Sequence, residues 1–185
     1  METNIKSVLN IQVEKIKNIE HNIHFLVYSC TAFFIPLMIA HPQLLVGIIV
    51  NSALILSAMY LDAKSILPVI ILPSLGVLSR GFIFGPFTVY LVYMIPFIWV
   101  GNTLLVYCIK YFYLKRKINY IGSLSIAVIA KCSFLFGAAF ILVKAKVIPA
   151  VFLSAMGMIQ VATVISAGII CYGIVKARSA VKGMV

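Results

Sequence analysis

Lys131 lies in the run Ile129-Ala130-Lys131-Cys132-Ser133, and the nearest charges on either side are Lys117 and Lys144. An ammonium in such apolar surroundings either loses its proton or finds an anion. The chain has few anions to give it. Its four acids are Glu2, Glu14, Glu20 and Asp62, all distant in sequence. Other apolar runs carry hydrogen-bonding residues near their centres: Asn51, Asn102 and Gln160, with Thr163 three residues on from Gln160 and on the same helical face. Trp99, the sole tryptophan, is also central to its run. The chemistry these residues suit is recognition. Lys131 would pair with an acidic or carbonyl group, Asn51, Asn102 and Gln160 would add directional hydrogen bonds, Trp99 would stack on a planar ligand, and Arg80 would guard the entrance. A few convergent polar groups in a largely apolar setting are typical of small-molecule sites. Asn and Gln also serve as interhelical glue in membranes.

The same residues argue against catalysis. A carboxylate proton relay has no intramembrane Asp or Glu to use. His21, His24 and His41 lie near the ends of apolar runs, so no bis-histidine haem pair is evident. No nucleophile–base pair and no Walker loop is found. Cys30, Cys108, Cys132 and Cys171 lie in separate apolar segments without CxxC spacing, as small core residues do. The reading is a non-enzyme with no cofactor and no metal.

The elements that must position these residues are membrane helices. The composition is 63% hydrophobic and 10% charged, against about 25% charged in soluble domains, and mean hydropathy is +1.14. Lipid is the solvent that such a surface needs. Six spans are expected, over residues 23–40, 43–61, 65–79, 87–112, 121–143 and 147–175, within one domain, 23–176. Residues 1–22 place Ile5, Val8, Leu9, Val13 and Ile16 at helical spacing among charges, which predicts an amphipathic helix on the membrane surface. Residues 177–185 form a tail. The third span is short and holds Pro68, Pro73 and Gly76, so it should be broken and should need neighbours for its freed backbone groups. Residues 80–86 read as a loop, leading into a cluster of Phe82, Phe84, Phe87, Tyr90, Tyr93 and Phe97 that suits an aromatic belt.

The net charge of +11 follows this plan. Eleven Lys and Arg fall in the N-terminus, second loop, fourth loop and C-terminus, and three (Arg80, Lys144, Lys146) on the opposite side. That bias puts both termini in the cytoplasm, and it leaves no basic face for nucleic acid. Small residues recur four apart, as in Gly47 with Asn51, Ala53 with Ser57, Ser123 with Ala127, Ser133 with Gly137 and Ala162 with Ser166, which permits close helix packing.

Six short spans, both ends inside, an interrupted third span and the run LPSLGVLSRGFIFGPFTVYLVYMIPFIWVGN resemble the substrate-binding S components of energy-coupling factor (ECF) transporters. The segments MIPFIWVGNTLLVY, KCSFLF and MGMIQVATVISAG are similar to a group of small prokaryotic membrane proteins often labelled "iron hydrogenase", over residues 44–174. No cysteine arrangement for a hydrogen-converting cluster accompanies them. The S-component resemblance implies a prokaryotic cytoplasmic-membrane protein that takes up a small, vitamin-like solute. It implies a pocket opening outward, and helices one to three docked on a transmembrane T component driven by two ATPases. The sequence departs from that pattern in a short first loop at His41-Pro42 and in lacking paired alanines in span one. The alternative is a non-catalytic structural or anchoring subunit of a larger, redox-type complex. Its mark would be an exposed small-residue face, with the midplane polar groups satisfied internally. Independent secondary transport would call for an inverted repeat, and none is visible.

Overall fold

In hydrocarbon a backbone must satisfy its own hydrogen bonds, and an all-helical chain does so. In the computed structural model, which describes residues 2–39, 41–84 and 88–182, the regular elements are all helices. They are α1 (Glu2–Met38), α2 (Gln43–Tyr60), α3 (Ala63–Phe84), α4 (Thr88–Cys108), α5 (Tyr120–Lys144), α6 (Val151–Met156) and α7 (Met158–Lys182); α4 runs on as a π-helix, Ile109–Lys115. Among the described residues, five stretches are long and apolar enough to cross a membrane: Gln43–Tyr60, Ala63–Arg80, Val89–Lys115, Tyr120–Lys144 and Val151–Ala180.

The helices alternate in direction, and α2 is the hub. It packs against α1, α3, α4 and α7, while α3 packs on α4, α4 on α5, and α5 on α7. Two neighbours that a closed ring would contain are missing: among the described residues neither α2 and α5 nor α1 and α7 pack directly. One end of the bundle carries both chain termini. The far end carries the turn after α1 and the turn between α5 and α6.

Small residues set the close approaches. A Cβ on Gly76 would stand 2.4 Å from the Phe33 carbonyl oxygen, so α1 and α3 meet backbone to backbone there. A Cβ on Gly47 would stand 2.6 Å from Thr163 Cγ2, where α2 meets α7. Ser57, Ser123 and Ala127 are fully buried. By contrast Gly137 has open space beside it, and Ser133 and Ala162 are exposed.

Several boundaries differ from the sequence reading. Residues 2–22 are helical, and no helix end separates them from the apolar stretch, since α1 continues unbroken for about 55 Å at 1.5 Å per residue. Residues 80–84, read as loop, extend α3. Pro68 and Pro73 lie inside that helix without ending it, because α1, α2 and α4 support it from outside. The last span is divided: Gly157, at φ −98° and ψ −100°, ends α6 before α7 begins. A side chain there would crowd Leu153 O at 2.8 Å and the Phe136 ring at 3.0 Å. Residues 177–182, read as tail, are still helical. Of the expected aromatic belt, Tyr90 and Tyr93 are exposed; Phe87 and the side chains of Phe82 and Phe84 lie outside the described part.

Polar side chains close the helix ends. Arg80 Nη1 donates to the carbonyls of Pro36 (3.1 Å) and Ile39 (2.6 Å), groups that the end of α1 leaves unpaired. Asp62 caps α3, accepting from Ser65 N at 3.2 Å, and hydrogen bonds from Ser65 hold its carboxyl below the usual range.

Gly76→Ala should cost about 1–3 kcal/mol through overpacking against backbone, whereas Gly173→Ala, with open space beside it, should be neutral or slightly stabilising. Thermal denaturation in detergent compares the two. Equal melting shifts would refute the α1–α3 contact.

Candidate functional site

The sequence offers an ammonium and several amides on separate helices, and the bundle brings them together. Lys131 of α5 is 2% exposed. Its Nζ donates to Asn51 Oδ1 of α2 at 2.6 Å and to Asn102 Oδ1 of α4 at 2.9 Å. Asn51 Nδ2 in turn donates to Thr163 Oγ1 of α7 at 3.0 Å, and that hydroxyl donates to the Gln160 carbonyl at 3.0 Å. Asn102 Nδ2 donates to the Ile70 carbonyl of α3 at 3.1 Å. Five helices thus meet in one buried chain of hydrogen bonds.

Each amide is used the only way it fits. An ammonium can only donate, and an amide has one accepting oxygen and one donating nitrogen. Both oxygens therefore face Lys131, and both nitrogens face outward to acceptors on α7 and α3. The length of the lysine is needed too: it reaches from α5 to Asn51 on α2, across helices that do not pack together. The Ile70 acceptor lies one residue past the carbonyl of Val69, which Pro73 leaves without its helix donor. Proline has no N–H to bond the carbonyl one turn back, and its ring disrupts the ladder there; the neighbouring carbonyl is the one Asn102 takes. No side-chain pattern announces a backbone acceptor, so sequence reasoning missed Ile70, although the proline-interrupted span did signal that α3 needed outside partners.

Two of the ammonium's three donors are engaged by these bonds, and the acceptors are neutral. No carboxylate joins the network among the described residues. Glu20 and Asp62 are at the termini end, Glu20 paired with Arg178 and Asp62 Oδ1 3.4 Å from His21 Nε2.

One turn beyond this network, toward the far end, lie three buried polar atoms without hydrogen-bond partners: Ser74 Oγ, Trp99 Nε1 and Gln160 Oε1. Ser74 follows Ile70 by four residues in α3, which runs toward the far end. Trp99 and Gln160 precede Asn102 and Thr163 by three in α4 and α7, which run away from it. All three residues therefore stand on the far-end side of the network, Ser29 Oγ of α1 is a fourth buried atom of this kind, and such orphans are uncommon in folded proteins. Trp99 packs against the larger core cluster.

Of the residues singled out in the sequence, Asn51, Asn102, Lys131 and Thr163 form one network. Gln160 enters it through its backbone, and Trp99 lies beside it without bonding to it. Arg80 is at the far end of α1, on helix carbonyls. No group of three or more His, Cys, Asp or Glu side chains converges to hold a metal among the described residues. No protein-family model, no curated protein and no solved structure matches this chain.

Asn102→Leu should destabilise the protein by about 1–3 kcal/mol, since it removes one acceptor from a buried donor. In a Lys131→Met background the same change should cost less, because the donor is already gone. A double-mutant cycle on unfolding in bicelles measures this coupling. Strict additivity would mean that the Lys131–Asn102 bond is not formed.

Proposed function

We propose that this chain is a membrane-embedded subunit that binds a small solute for uptake, with an anionic or electron-rich carbonyl group of the solute paired to Lys131. The supporting observation is a buried ammonium held by two neutral amide oxygens, next to unpartnered buried polar atoms. Were the network only structural, neutral side chains would serve at lower cost, because a lysine at mid-span costs about 2.5–3.5 kcal/mol on insertion scales. The remaining ammonium proton has a use if a ligand oxygen arrives. Trp99 Nε1 and Ser74 Oγ can then donate to the same molecule, and Gln160 Oε1 can accept from it. In this reading the ligand enters from the far end, on the side where these unpartnered atoms lie, and Arg80 holds the end of α1 beside the entrance.

The architecture that goes with this reading has six crossings. The apolar half of α1 joins the five long apolar helices, and both termini lie in the cytoplasm of a prokaryotic cell. Support for that orientation comes from the fold's two ends. Arg80, Lys144 and Lys146 are at the far end, and the other basic residues outside the spans are at the termini end, which fits the positive-inside bias. The coupling partners would be those of an S component, a transmembrane T component and its ATPases.

A second reading, a structural or anchoring subunit of a larger assembly, is favoured by one pair of observations. Asn51, Asn102 and Lys131 already bond one another, and the small residues Ser133, Gly137 and Ala162 face outward, where a partner helix can approach closely.

Native mass spectrometry of wild type and Lys131→Met in mild detergent distinguishes the two. The binding reading expects a small molecule on wild type that the variant loses. No small molecule on either, with protein subunits retained by both, would overturn it in favour of the structural reading. Reporter fusions at either terminus should be active only in their cytoplasmic form; a periplasmic signal from either one would refute the orientation.

A further inference from the structure

The gap between α1 and α7, helices that do not pack together, is bridged at the termini end by side chains around a cavity of about 330 Å³. Lys17, Glu20, His21 and His24 line it from α1, Met59 and Tyr60 from α2, and Arg178 from α7. The basic groups are held in place. The Arg178 guanidinium lies 4.6 Å over the Tyr60 ring, donates from Nη1 to His24 Nε2 at 3.2 Å and is paired with Glu20. His24 is stacked between Tyr28 and Tyr60, with ring centroids 5.5 and 5.0 Å away. His21 Nε2 bonds Ser65 Oγ at 3.0 Å. Lys17 makes no ion pair among the described residues.

We propose that this cavity binds a phosphate group, presented by an anionic phospholipid whose chains lie along the cleft between α1 and α7. A fixed arginine and a lysine at one small space suit an anionic oxygen cluster, the two histidines being engaged with Arg178, Ser65 and Asp62, and guanidinium–phosphate hydrogen bonds are charge-assisted. Basic pockets between membrane helices near the interface take lipid head groups. The position fits, since the cavity is at the end of the bundle where head groups lie. Exposed apolar side chains follow it toward the membrane centre, Ile23 and Val27 on α1 and Ile170 on α7. Glu20 is the one carboxylate lining the cavity. It competes with the phosphate for Arg178, so binding exchanges one anion for another at the same guanidinium. The site is separate from the Lys131 network and does not depend on what that network binds.

The test uses the full chain in phosphatidylcholine nanodiscs and measures retention of phosphatidylglycerol by native mass spectrometry. Wild type should enrich phosphatidylglycerol over phosphatidylcholine. Lys17→Gln and Arg178→Gln should each lower that enrichment about fivefold, the worth of one basic residue near a lipid surface, and Glu20→Gln should raise it. Lys17→Gln removes no bond seen in the structure, so it reports even if Arg178→Gln does not fold. Inorganic phosphate separates the two possible sources. If millimolar phosphate abolishes the enrichment, the site takes free phosphate and the lipid assignment fails. If wild type and Lys17→Gln carry the same lipids in the same ratio, the proposal is overturned.

Discussion

A positive group buried in a helical membrane bundle must be surrounded by acceptors, and this requirement organises the centre of the molecule. Lys131 is the donor, and Asn51 and Asn102 supply the oxygens. Turning both amide oxygens inward fixes which way both amide nitrogens point, and so draws in Thr163 of α7 and the backbone of α3. The relative rotation of α2, α3, α4, α5 and α7 is thus set at one level by polar geometry. Apolar packing against lipid-like surroundings specifies rotation weakly; a hydrogen-bond network in low dielectric specifies it strongly, because each misaligned group would be left unpaired.

The rest of the fold accommodates that centre. Glycines at positions 47 and 76 let helices approach where larger residues would push them apart. The prolines of α3 weaken its own ladder, and Asn102 of α4 adds a bond to the Ile70 carbonyl beside the gap at Pro73. Gly157 divides the final span, so α7 begins just before Gln160 and Thr163 and can take its direction independently of α6. At the termini end, Arg178 ties α7 to α1 through Glu20 and His24, across helices that otherwise do not meet. Directional bonds thus hold the bundle at midplane and at the termini end, and Arg80 adds a pair at the far end.

For function, the network supplies a charge whose acceptors are neutral and whose neighbourhood contains unused donors and acceptors. That combination is more economical as part of a binding site than as internal support, since amides alone can support a bundle. The outward-facing small residues on α5 and α7 point to helix–helix association as the competing use of the same architecture.

Much of this was legible in the sequence. Hydropathy and length set the all-helical membrane class, and five of the expected spans correspond to long apolar helices. Lys131 with Asn51, Asn102 and Thr163 could be chosen from residue type and depth alone, because polar groups in apolar runs need partners, whether a ligand or a neighbouring helix. Other features were decided only by the tertiary structure. That Lys131 would find its acceptors on α2 and α4, that Ile70 would contribute a carbonyl, and that Arg80 would serve the end of α1 depend on helix rotation and neighbour choice, which periodicity does not encode. The continuity of α1 and α3 past their expected limits and the break at Gly157 have the same origin. Proline and glycine weaken a helix by a few kcal/mol at most, and packing partners distant in sequence determine whether that weakness becomes a break.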